Sequence, residues 1–147
     1  GSQCVVLSIQ AKWQNNSWEA YFDNGREHSG VDAVEWARQG QSLGAGEILL
    51  TSVDREGTRE GFDLDLLRAV SGLVDIPIIA SGGMGEMDHL ISAVSVGGAD
   101  AVAVAHMLHY GRCGVSEIRD YCLVNGVPVR QIVPKEDNES EAFCNSH

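Results

Sequence analysis

The sequence predicts an α/β fold of four successive β/α units with parallel strands and a β-hairpin inserted after the first strand. Three observations predict it. Short apolar runs recur at Cys4–Ile9, Glu47–Val53, Ile76–Ala80 and Ala101–Ala105, and runs without strict alternation belong to strands covered on both faces. Apolar residues at helical spacing fill the intervals, which have the length of a right-handed crossover. Glycines and polar groups crowd the C-terminal ends of the runs, the end at which parallel α/β folds bind ligands. Spacing leaves two architectures open, a small open sheet and half of a (β/α)8 barrel. A complete barrel needs roughly 250 residues, and the chain has 147.

The first strand, Cys4–Ile9, is expected to end at Gln10-Ala11-Lys12. Trp18, Ala20 and Phe22 then alternate with polar neighbours, and Asn24-Gly25 supplies a residue pair that tolerates positive φ, the mark of a hairpin turn. Gly30-Val31-Asp32 opens a helix whose buried face is Ala33, Trp36, Ala37 and Gly40, with Gly44 as its stop. After the second strand, Asp63 caps a helix with Leu67, Val70 and Val74 on one stripe. Pro77 ends that helical stretch and opens the third strand. Met87, Leu90, Ile91 and Val94 mark the next helix, and Gly97-Gly98 stops it. The fourth strand leads through the turn His106–Tyr110 to a last helix, Ser116–Val124, with a short terminal strand at Val127–Arg130. Residues 1–132 are expected to form the folded unit. Residues 133–147, rich in acidic and polar groups, are expected to form a disordered tail.

Composition excludes several classes. With 10 basic against 21 acidic residues the formal charge is −11, which disfavours nucleic acid, whose partners need a basic face. There is no apolar run of about 18 residues, so no membrane span is expected. Nor does the start, GSQCVVLSIQAKW, carry the basic n-region of a secretory leader. Cys4, Cys113, Cys122 and Cys144 show no metal-ligand spacing, and His28, His89, His106, His109 and His147 form no His/Cys motif. No metal and no cofactor are expected. Thiols without a framework suit a reducing cytoplasm.

Two glycine loops carry the chemistry. Ser81-Gly82-Gly83-Met84-Gly85 lies between a strand and a helix, where main-chain N–H groups can cradle an anion. A Rossmann fingerprint is excluded because the position that would need glycine is Asp88, and no Gly-Lys-Ser/Thr follows for a Walker loop. The alternative is a tight turn that needs glycine for geometry alone. Glu56-Gly57-Thr58 ends the preceding strand and Ala105-His106 the following one, so three consecutive loops can converge on one phosphate.

These runs are specific. GSQCVVLSI, the Asn-Gly turn with Gly30, GAGEILLTSVDREGT with Gly-Phe-Asp, IPIIASGGMG with Met87 and His89, and GADAVAVA are collinear from Gly1 to about Arg130. The chain resembles the C-terminal half of the cyclase subunit of imidazole glycerol phosphate synthase. The resemblance implies strands five to eight of a (β/α)8 barrel that takes ammonia from a glutaminase partner. It implies reaction of that ammonia with a phosphoribulosyl carboxamide ribonucleotide, with two aspartates after strands one and five as general acid and base. The first aspartate belongs to the other half of the barrel. The second falls on Gln10, whose amide cannot exchange a proton near neutral pH, and the Asp of the family's Asp-Arg-Asp-Gly-Thr run is Glu56. By the same resemblance Gly57, Gly82, Gly83 and Ala105 form the phosphate cradle, with His106 where the family has serine. Thr51 and Ser81 line the pocket, Lys12 matches a lysine beside the catalytic strand end, and Glu47 matches a charged residue of the ammonia gate.

Three functions follow for test: a cyclase-type module, a diverged paralogue delivering ammonia for nucleotide-sugar amidation, and a non-catalytic phosphate-binding half-barrel. Four strands alone leave open edges and an uncovered inner face. The expected partners are therefore a glutaminase subunit, a phosphorylated small molecule, and either the N-terminal half-barrel or a second copy of the chain.

Overall fold

The computed structural model describes residues 5–22, 27–104, 115–127 and 142–144. Among them the order is β1 (Val6–Gln14), β2 (Ser17–Phe22), β3 (Glu27–Asp32), α1 (Ala33–Ser42), β4 (Glu47–Ser52), α2 (Leu64–Ser71), β5 (Ile78–Ser81), α3 (Met87–Ser95), β6 (Ala101–Ala103), α4 (Val115–Val124) and β7 (Ala142–Cys144). The strands form one sheet in the order β3-β2-β1-β4-β5-β6-β7. Its centre, β1-β4-β5-β6, is parallel, and β2, β3 and β7 add antiparallel. This mostly parallel sheet with its helices is compatible with a fragment of a (β/α)8 barrel.

Alternation sorts the two faces of the sheet. Ile9, Ala11, Ile48, Leu50, Ile78, Ala80 and Val102 are buried in one cluster with Leu66, Leu67 and Val70 of α2, Leu90 of α3, and Ile118 and Cys122 of α4. Burying side chains of this size contributes roughly 1.5–3 kcal/mol each. Val6, Gln10, Lys12, Leu49, Thr51, Ile79 and Ser81 alternate with these residues and face the other way. None of them belongs to that cluster.

The helix signals are realised with small shifts. Asp32 caps α1 by accepting from the Glu35 amide at 2.9 Å, and Asp63 caps α2 by accepting from the Leu66 amide at 3.0 Å. Such caps typically contribute about 1 kcal/mol. Val74 stays buried although α2 stops at Ser71, and Trp36 is only half-buried beside Ala33, Ala37 and Gly40. Gly40 is the close-approach point of α1 on the sheet, since a Cβ there would lie 2.2 Å from Leu7 Cδ2.

Two sequence expectations are corrected. The first strand does not end at Gln10-Ala11-Lys12. Its parallel pairing with β4 stops at Ala11–Ser52, but the strand runs on to Gln14, paired with β2. The cause is Asn15-Asn16, both in the left-handed region at φ 52° and 64°, which closes a two-residue hairpin. The Asn24-Gly25 turn between β2 and β3 lies outside the described residues. Of the stretch 133–147 the described residues are Ala142–Cys144, which pair antiparallel with β6. Val127 is buried but is not in a strand, and Val129-Arg130 lies outside the described residues.

The hairpin is tied back to the sheet. The Trp13 amide donates to Asp54 Oδ2 at 2.7 Å, Trp18 Nε1 donates to Asp63 Oδ2 at 3.1 Å, and the Trp13 and Trp18 rings meet edge to face at 4.6 Å. Because Asn tolerates the left-handed conformation and a β-branched residue does not, Asn16→Val is expected to cost about 1–2 kcal/mol. Urea denaturation checks this, as a fall in midpoint at unchanged slope.

Candidate functional site

Parallel register assembles the site. Gln10 pairs with Thr51, and Thr51 pairs with Ser81, so the three side chains form one transverse row on the face opposite the helices. Adjacent members are separated by one strand spacing, about 4.8 Å. All three are half-buried. Lys12 stands two residues beyond Gln10 on the same face, with its Nζ 5.5 Å from the centroid of the Tyr21 ring.

Tyr21 is directly opposite Gln10 on β2, and His28 is opposite Tyr21 on β3. The polar row therefore continues onto the hairpin as His28, Tyr21, Gln10, Thr51, Ser81. Tyr21 Oη accepts from Gln14 Nε2, and His28 Nδ1 meets Glu19 Oε2 at 3.1 Å. Sequence reasoning missed Tyr21 and His28. The detectable signal was that polar residues at Gln10, Lys12 and Gln14 keep the strand period of two past the expected strand end.

The row runs into the glycine turn after β5. Gly82 and Gly83 have φ of 89° and 116°, values that L side chains avoid. Their second constraint is packing. A Cβ on Gly82 would lie 2.7 Å from the Ser52 carbonyl oxygen and 3.0 Å from Glu56 Oε2, and one on Gly83 would lie 2.1 Å from the Gly61 carbonyl oxygen. The β4–α2 loop is thus laid main chain to main chain on the β5–α3 turn, fixed by the Gly61 amide donating to Gly83 O at 2.7 Å. Ser52, 2% exposed, holds the start of that loop by accepting the Arg55 amide on its Oγ at 3.2 Å.

The expected residues are therefore only partly brought together. Gln10, Lys12, Thr51 and Ser81 share the C-terminal end of the open face, Gly82 and Gly83 follow Ser81 in the turn, and Glu56 sets its carboxylate against Gly82. Gly57 is exposed at φ 78°, with open space where its Cβ would be. Glu47 lies at the opposite end of β4, four residues and about 13 Å from Thr51 along the same face. Ala105 and His106 lie outside the described residues.

At the far side of the turn, His89 Nδ1 accepts from the amides of Gly85 and Glu86 at 3.0 and 3.2 Å. The first N–H groups before α3, which the strand–glycine–helix pattern offers to an anion, are thus occupied by an imidazole.

Away from this edge, hydrogen bonds to the Arg38 guanidinium hold the exposed Glu35 carboxyl below its ordinary pKa. Burial in α4 pushes the Cys122 thiol above its ordinary pKa, which suits an inert core thiol. Among the described residues no group of three or more His, Cys, Asp or Glu could hold a metal ion, and no helix is long and apolar enough to cross a membrane.

A family model described as "Histidine biosynthesis protein" matches residues 1–114. The chain belongs to that family. The match spans β1 through β6, and so takes in every member of the row and both glycine loops. Within the histidine biosynthesis family the barrel-type α/β fold accounts for the sheet order: parallel β/α units in sequence, helices on one face, and polar residues at the C-terminal edge.

Proposed function

We propose that the chain is a cyclase-type module of imidazole glycerol phosphate synthase, strands five to eight of its barrel. It uses glutaminase-derived ammonia on a phosphoribulosyl carboxamide ribonucleotide in histidine biosynthesis. The observation that carries this is the in-register row Gln10–Thr51–Ser81 running into the Gly82-Gly83 turn. A phosphate seated on that turn would extend the rest of its ligand along the row, toward Gln10 and Lys12. Glu47, on the same face at the opposite edge of the sheet, fits an ammonia-entry position.

The open face supports the need for a partner. Val6 is 48% exposed, and Leu49 and Ile79 face away from the helix layer. A parallel sheet is ordinarily covered on both sides. The N-terminal half-barrel or a second copy of the chain would supply the cover, and a glutaminase subunit would supply the ammonia.

A second function is favoured by one residue. Gln10 stands where the family's general acid/base aspartate belongs, and its amide can bind substrate but cannot move a proton. That suits a diverged paralogue delivering ammonia for nucleotide-sugar amidation, or a half-barrel that only binds phosphate.

Two measurements test the site. Titration with inorganic phosphate, followed by the amide resonances of Gly82 and Gly83, is expected to show saturable binding, and its absence removes the cradle. Turnover of the ribonucleotide with excess ammonium salt is expected to be undetectable for this chain alone. Product formation by the chain alone would show that neither aspartate is required.

A further inference from the structure

We propose that His89 is the positioning residue of the β5–α3 glycine turn, and that it works as a neutral imidazole with its proton on Nε2. Its role as a ligand-site residue rests on the anion reading of that turn, whereas its geometry is independent of it.

Two hydrogen bonds and one close neighbour carry the inference. The successive amides of Gly85 and Glu86 converge on His89 Nδ1 at 3.0 and 3.2 Å. A nitrogen that accepts N–H bonds carries no proton, so the neutral ring must hold its proton on Nε2. On the ring's other side lies Gly61, where a Cβ would be 3.4 Å from His89 Cδ2 and 3.6 Å from Nε2. Gly61 in turn donates its amide to Gly83 O at 2.7 Å. The imidazole therefore holds the end of the turn directly and lies beside Gly61, whose own amide holds the middle of the turn. The loop that carries Glu56 and the turn that carries Gly82 and Gly83 become one unit.

This has a consequence for recognition. Two successive N–H groups converging on one point make the concavity that typically captures an anion. Here a side-chain nitrogen fills it. An anion bound at this turn then draws on the main chain from Gly82 to Met84 or on the first-turn amides of α3, and not on the Gly85 and Glu86 amides. His89 thus decides which N–H groups face the ligand, without touching the ligand itself.

The test uses the 147-residue chain. Nitrogen-15 NMR of the His89 ring is expected to show the Nε2–H tautomer, with slow hydrogen exchange at the Gly85 and Glu86 amides. An Nδ1–H tautomer overturns the proposal. His89→Phe keeps a ring against Gly61 and removes the acceptor, while His89→Asn keeps an acceptor near the Nδ1 position and removes the ring. His89→Asn is expected to hold the exchange protection of both amides and the affinity for inorganic phosphate within about threefold. His89→Phe is expected to lower both by about tenfold or more, the equivalent of one or two lost hydrogen bonds. A Phe variant that retains both overturns the proposal. If the Phe variant does not fold, the wild-type tautomer and the Asn variant decide, and lost protection in a folded Asn variant is equally fatal. Failure of the wild-type chain to bind phosphate would instead remove the anion reading, with the tautomer and exchange data still judging His89.

Discussion

Gly83→Ala is expected to destabilise the fold by about 3–5 kcal/mol, combining the cost of a left-handed alanine with that of an overpacked site. At φ 116° the main chain is in a region that L residues rarely occupy, and the added Cβ would sit 2.1 Å from the Gly61 carbonyl oxygen and 2.8 Å from its carbon. Neither neighbour is a flexible side-chain end, so relief requires the β4–α2 loop to lift from the turn and break the Gly61–Gly83 hydrogen bond. Gly57→Ala is the matched control. It has φ of 78° with no atom within 4 Å of the new Cβ, so only the backbone term applies, about 1–2 kcal/mol. Urea denaturation of both variants is the measurement. Equal losses would mean that conformation alone, and not the main-chain packing of the two loops, sets the glycine requirement. A domain typically has only about 5–15 kcal/mol to lose, so the Gly83 variant stands near the threshold of folding.

The same pair of glycines shows what was legible in the sequence. SGGMG announced a strand–turn–helix junction, and the junction is there, but the contacts that require glycine come from a neighbouring loop. Only Gly61, more than twenty residues away in sequence, reveals that requirement, and no local pattern points to it. The parallel strands and the four helices were readable from their apolar period, and for two helices the caps agree: Asp32 and Asp63 stand immediately before α1 and α2 and bond as caps. The extension of β1 was not readable from its apolar run, which stops at Ile9. What continues the strand is pairing with β2, set by the Asn15-Asn16 turn, and that signal is weaker than the Asn24-Gly25 pair it competes with. Tyr21 and His28 joined the polar row for the same reason, since cross-strand register is a tertiary fact. His89 was visible as a histidine near a helix start, but a lone histidine carries no information about which of its nitrogens accepts, or from what.

Gln10→Asp is expected to raise ribonucleotide turnover by about 10²–10⁴-fold, the usual worth of a positioned general acid or base. The assay uses a barrel reconstituted from this chain and the other four β/α units, supplied with ammonium salt. The position is favourable for such a group. It lies on the open face, half-buried, opposite Thr51 on one side and Tyr21 on the other. Lys12 is two residues along the same strand face, its α-carbon about 7 Å away. An ammonium about 7 Å from a carboxylate stabilises it by about 2 kcal/mol at an effective dielectric of about 20, which favours an ionised aspartate at neutral pH, suited to accept a proton. The gain in rate should therefore be present at neutral pH and fall away as pH drops through the carboxylate range near about 4. Affinity for the ribonucleotide is expected to change far less than the rate, because Gln and Asp both offer an acceptor oxygen at this point in the row. A rate that stays at the wild-type level, with binding intact, would mean that no proton moves at this position in this barrel. Ammonia delivery to a different acceptor would then be the better account of Gln10.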